Sequence, residues 1–129
     1  MTTELTMLAW TIVLALVHIF AAVAVRTRQY GTAWNMGPRD EAVPPPTPLA
    51  GRLDRAQANL FETLPLFAAA VLIAHAAGVH TARTMLGAQL YFWARVAYLP
   101  LYAAGVPVVR TLAFATSVAG LLLIVTAVL

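Results

Sequence analysis

The chain has 129 residues, of which 61% are hydrophobic and only 10% charged, and its mean hydropathy is +0.80. Those values lie outside the range of soluble domains, and the length leaves room for a single domain, so lipid has to supply part of the solvent. The absence of cysteine excludes disulfides, thiolate metal sites and a cysteine nucleophile, while the net charge of +3 rests on arginines at or near the ends of apolar runs, which points to membrane topology rather than nucleic acid.

A membrane helix needs about 20 largely apolar residues. Leu5 to Val25 is the first such stretch. Its leader, Met-Thr-Thr-Glu, carries no positive charge and the arginines follow the apolar run, so it reads as a retained helix over about 4–27 rather than a signal peptide. Residues 29–51 contain Pro38, Pro44, Pro45, Pro46 and Pro48 together with charges, which predicts a long exposed loop with no continuous helix. Such a loop either folds over the mouth of a site as a lid, with Trp34 in it, or is a solvated connector. The second span is expected over about 52–77, the third over 80–104 and the fourth over 107–129, with turns at Gly78 and at Gly105–Pro107. The fold class is therefore all-α: an integral membrane four-helix bundle running up-down-up-down in one domain. Arg26, Arg28, Arg39, Arg52 and Arg55 flank or occupy the first loop, Arg110 falls on the same side, and only Arg83 lies opposite. By the positive-inside rule both termini face away from the cytoplasm.

Two polar stripes interrupt the apolar helices. Arg55, Asn59 and Glu62 stand at i, i+4 and i+7, and Arg95, Tyr98 and Tyr102 at i, i+3 and i+7, so each set shares one helix face. Pro65 and Pro100 sit inside the same helices, where each removes a backbone hydrogen bond, and kinks are expected near both stripes. Charges inside a bilayer are costly unless these faces meet each other or a water-filled cleft. One reading is purely structural: Arg55, Glu62 and Arg95 form an ion-pair network that pins helix register. The other is an anion pocket, because Arg55, Arg95 and Arg110, with Arg26 nearby, outnumber Glu62. Guanidinium forks grip carboxylates and a lone Glu suits an ammonium, which describes a small zwitterion of net negative charge such as glutathione.

The run R-A-Q-A-N-L-F-E-T-L-P at 55–65, then Y-F-W-A-R-V-A-Y-L-P-L-Y and V-R-T at 109–111, resembles the MAPEG family, the membrane-associated proteins in eicosanoid and glutathione metabolism. The resemblance covers essentially the whole chain and is closest to bacterial members of the microsomal glutathione transferase type. It implies a homotrimer with glutathione as co-substrate between neighbouring subunits near the cytoplasmic side, and a lipophilic substrate arriving from the membrane lipids. By position it assigns glutathione binding to Arg26, Arg55, Gln57, Asn59, Glu62, Arg95, Tyr98 and Tyr102. Arg110 matches the arginine that stabilises the thiolate, with Thr111 or Tyr102 as hydroxyl donors. The implied activity is that of a glutathione transferase or peroxidase acting on lipophilic electrophiles. The competing reading is a non-catalytic scaffold or lipid-binding protein of the same fold. Thr63 departs from the pattern, since several members carry Tyr there, and the spacing between Tyr102 and Arg110 varies among branches.

The remaining polar residues have plainer readings. His18 is expected to be hydrogen-bonded in a helix interface, and His75 and His80 lack zinc-site spacing, so no metal is expected. Trp10 and Trp34 read as interface anchors and Trp93 as an anchor or a pocket wall. Ala113, Ser117 and Gly120 give the last helix a small-residue face for close packing. The Arg-only, Ala-rich composition suits a GC-rich bacterial genome, and hence an inner-membrane protein.

Overall fold

The computed structural model describes residues 1–129 as five helices and no strand. They are α1 (Thr3–Tyr30), α2 (Thr32–Met36), α3 (Pro48–Ala76), α4 (Ala82–Ala103) and α5 (Pro107–Val128). Each long helix starts where the local sequence can satisfy its free backbone N–H groups or dispense with one. The Thr2 hydroxyl accepts from Leu5 N ahead of α1. Thr47 accepts from Ala50 N with Pro48 in the first turn of α3. Thr81 and Thr84 form a reciprocal capping box on α4, and Pro107 opens α5. Caps of this kind contribute about 1 kcal/mol each.

The structure differs from the sequence reading in two places. The α3 helix starts at Pro48, earlier than the expected 52, because a proline at the first helical position loses no hydrogen bond. The expected loop over 29–51 also contains the short α2, and its two ends are tied together. Gln29 donates from Nε2 to Pro45 O and accepts from Thr47 N, both at 2.9 Å, and the Tyr30 hydroxyl donates to Pro44 O at 2.6 Å. Both α3 and α4 run unbroken through Pro65 and Pro100.

Side-chain contacts place the helix ends. Glu4 on α1 meets His80, ahead of α4, and Thr84 on α4, while Arg83 reaches Thr126 at the end of α5. At the other end Gln29 meets Thr47, Arg26 meets Asp54, and Arg52 meets Ala103. Successive long helices are therefore antiparallel. The closest pair is α4–α5, where an added Cβ on Gly87 would stand 2.5 Å from Gly120 O, and one on Gly120 the same distance from Gly87 O. Glycine at both positions is what lets these backbones touch, as in close membrane-helix crossings. Ser117 and Gly120 are buried on this face. Beside it lies an apolar core of Phe67, Val71, Ala88, Tyr91, Leu121 and Ile124, with the Phe67 and Tyr91 rings stacked at 4.0 Å.

Only 26 of 129 residues are buried, while large apolar side chains such as Phe20, Leu66, Leu112 and Leu122 point outward. That outer surface is wrong for water. Three helices, α1, α3 and α5, are long and apolar enough to cross a membrane. The α4 helix is as long as α5 but carries Arg83, Gln89 and Arg95, which lower its hydropathy.

Candidate functional site

The polar residues gather at the end where α1 finishes, α3 begins and α4 turns into α5. On α3 the face bearing Arg55, Asn59 and Glu62 looks toward α4. Asn59 accepts from Arg95 Nη1 at 2.7 Å, and Tyr102 accepts from Arg55 Nε at 3.1 Å. The Arg95 guanidinium lies over the Tyr98 ring at 4.3 Å, and that of Arg110 over the Tyr102 ring at 4.6 Å. Tyr98 and Tyr102 are themselves in contact, with centroids 5.4 Å apart. The structure thus brings six of the expected residues together: Arg55, Asn59, Arg95, Tyr98, Tyr102 and Arg110.

Depth separates them. Arg95 is 0% exposed and Tyr98 4%, whereas Tyr102 and Arg110 are half-buried and Arg55 is exposed. Arg95 therefore lies beneath the exposed part of the cluster, in contact with Asn59 and Tyr98. Its Nε and Nη2 have no partner, and neither does the nearby buried His18 Nε2, whose ring is held by Nδ1 to Leu14 O at 2.9 Å. A shallow depression of about 220 Å³ opens above, lined by Tyr98, Tyr102, Arg110, Thr111 and Phe114.

Three expected residues make no side-chain hydrogen bond or ion pair with this cluster. Glu62 shares the α3 face but is exposed and forms no ion pair. The ion-pair network considered for Arg55, Glu62 and Arg95 is not formed: Arg95 is buried, Glu62 is exposed, and no ion pair joins any of the three. Gln57 lies on the opposite side of α3 from Arg55, two residues being about 200° of helical rotation. Arg26 pairs with Asp54 at 3.6 Å. Trp93 is 60% exposed.

The sequence reading did not single out Arg52 or Phe114 for the site. Arg52 sits one turn before Arg55; its Nη1 donates to Ala103 O at 3.3 Å and its guanidinium packs where a Cβ on Gly105 would lie, 3.1 Å from Cζ. The three-residue spacing to Arg55 was the available signal. At the far end of the molecule, Glu4 is 3% exposed yet fully partnered. His80 Nδ1 lies 2.9 Å from both its carboxylate oxygens, and Thr84 donates to Oε1. No group of three or more His, Cys, Asp or Glu side chains is placed to hold a metal ion.

Long apolar helices, an outward apolar surface and a cationic, tyrosine-lined cluster at one end define an integral membrane protein with a polar site near its surface. The family comparison makes this specific. The chain belongs to the MAPEG family, whose model matches residues 7–129, nearly its whole length. It is accordingly a membrane protein of the group associated with eicosanoid and glutathione metabolism. No curated protein matches the chain significantly.

Proposed function

We propose that the protein binds glutathione and joins it through its sulfur to lipophilic electrophiles, or uses it to reduce lipophilic peroxides with oxidation of two glutathiones to the disulfide. The observation that carries this reading is the pair of guanidiniums, Arg55 and Arg110, both set against Tyr102 with no carboxylate partner, while Glu62 stands unpaired on the Arg55 face. Two free cations and one free carboxylate suit a ligand with two carboxylates and one ammonium. Arg110 beside the depression favours the charged thiolate, the form of sulfur that attacks. In conjugation the sulfur lone pair forms a bond to the electrophilic carbon, the leaving group departs with its electron pair, and the thiol proton goes to solvent. Outward apolar helix faces give such a substrate its approach from the lipid.

In this reading all four long helices span the membrane, α4 being shielded by its neighbours, and the assembly is a homotrimer. A site between subunits is supported by Gln57, which lies on the opposite side of α3 from Arg55. A ligand lying between two copies of the chain can touch both faces. The clustering of Arg26, Arg28, Arg52, Arg55 and Arg110 at one end, with Arg83 at the other, supports an inner-membrane orientation with both termini away from the cytoplasm.

Calorimetry of glutathione binding to the detergent-solubilised protein tests the proposal, with Arg55→Ala and Glu62→Ala variants alongside. Saturable binding that both substitutions weaken supports it. No binding by the well-folded protein transfers the assignment to a lipid-binding or scaffold role.

A further inference from the structure

The largest cavity in the molecule lies outside the arginine–tyrosine site, in the segment joining α1 to α3. It measures about 570 Å³ and is lined by Tyr30, Trp34, Arg39, Asp40, Glu41 and Val43, among others. The Tyr30 and Trp34 rings meet at 4.6 Å with 47° between their planes, forming two walls of an open cup. Into it leans Arg39, whose guanidinium carbon sits 4.6 Å from the Trp34 centroid and whose Nη2 donates to Asn35 Oδ1 at 2.6 Å and Asn35 O at 3.1 Å.

Two features of this arrangement need a cause. Arg39 is the only residue other than glycine with positive φ, at 64°, a conformation that costs an L side chain. Its guanidinium also stacks on an indole while Asp40 and Glu41, next in sequence and in the same cavity, form no ion pair. A cation is thus held on an aromatic face by a strained backbone beside two unused carboxylates.

We propose that this cup is a binding site for an organic ammonium group, and that Arg39 occupies the cation position in its absence. Aromatic walls attract ammonium through the negative face of the ring, best with Trp, and quaternary ammonium is bound this way in general. Asp40 and Glu41 supply the countercharge. The location selects a phospholipid headgroup over a free solute as the source. With 28 residues α1 is about 42 Å long at 1.5 Å per residue, against a hydrocarbon layer of about 30 Å, so its last turn, carrying Arg28 and Tyr30, emerges among the headgroups. The cup opens there and is held to the start of α3 by the Gln29 and Tyr30 hydrogen bonds. The site is independent of glutathione, since none of its residues belongs to the arginine–tyrosine cluster.

The test uses the full chain in maltoside micelles, with phosphocholine as probe and saturation-transfer NMR read on its N-methyl protons. Saturable transfer is expected, lost in Trp34→Leu and tightened about threefold in Arg39→Gly, which removes the internal competitor and relieves the positive φ. In a parallel arm, native mass spectrometry follows lipid retained from a mixture of phosphatidylcholine and phosphatidylglycerol. Enrichment of phosphatidylcholine that Trp34→Leu abolishes assigns the headgroup as the source, whereas phosphocholine binding without enrichment keeps the ammonium site and assigns it to a free ligand. Transfer that is absent, or equal in Trp34→Leu and the parent chain, overturns the proposal. Weaker binding in Arg39→Gly overturns the role of Arg39 as competitor.

Discussion

The two ends of this protein treat buried charge in opposite ways. At the end where α1 begins, the Glu4 carboxylate is met by His80 and Thr84, and the adjoining α4–α5 crossing is so tight that Gly87 and Gly120 leave no room for a Cβ. At the other end Arg95 is sealed inside with two donor nitrogens unpartnered, and Arg55 and Arg110 rest on the Tyr102 ring without forming an ion pair. A satisfied polar cluster holds a fold together, whereas an unsatisfied cationic one is unfinished until something anionic or hydrated completes it. The comparison teaches where to separate stability from binding in a chain this small.

Substitutions can break that division, and the largest effect belongs to the closed end. Gly120→Ala pushes a methyl into Gly87 O and Tyr91 N, and about 3 kcal/mol of stability should be lost as the crossing opens. Thermal unfolding in detergent reads this out; an unchanged midpoint would show that the α4–α5 approach is not fixed. Next comes Glu4→Ala, which leaves His80 and Thr84 without their acceptor and should cost about 1–3 kcal/mol, with glutathione affinity unchanged in the fraction that stays folded. A matching fall in affinity would mean that the two ends are coupled.

At the open end the signs reverse. Arg110→Ala should leave the unfolding midpoint almost where it was and lower the conjugation rate with a generic electrophile by about tenfold or more, the scale of one lost charge-assisted contact. Equal rates would remove Arg110 from the chemistry. The smallest and sharpest change is Arg95→Leu, since replacing an unpaired buried cation with an apolar side chain is often neutral or stabilising. Stability should shift by about 1 kcal/mol or less in either direction while binding weakens a few-fold, through Asn59 losing its donor. A loss of several kcal/mol would reveal a hidden partner for Nε and Nη2.

How much of this was legible beforehand follows from what sequence patterns carry. The apolar runs of α1, α3 and α5 announce themselves, because twenty uncharged residues have few other uses. The early start of α3 at Pro48 was legible in principle and was masked by reading the proline cluster only as a helix breaker. The stripes Arg55–Asn59–Glu62 and Arg95–Tyr98–Tyr102 gave direction around each helix but not depth. Periodicity cannot tell the sealed Arg95 from the half-exposed Tyr102 on the same face. The Glu4–His80 pair, 76 residues apart, left no local mark at all.

Arg52 ties these threads mechanically. By donating to Ala103 O and lying flat against Gly105, it bolts the start of α3 to the corner from which α5 departs, so that Arg55 and Arg110 are carried on one rigid jaw. Gly105 sets the gauge of that jaw. Its φ of +75° already disfavours any other residue, and the first carbon of a side chain would meet the guanidinium and prise the corner outward. The distance between the two arginines is in this sense machined by a residue that has no side chain.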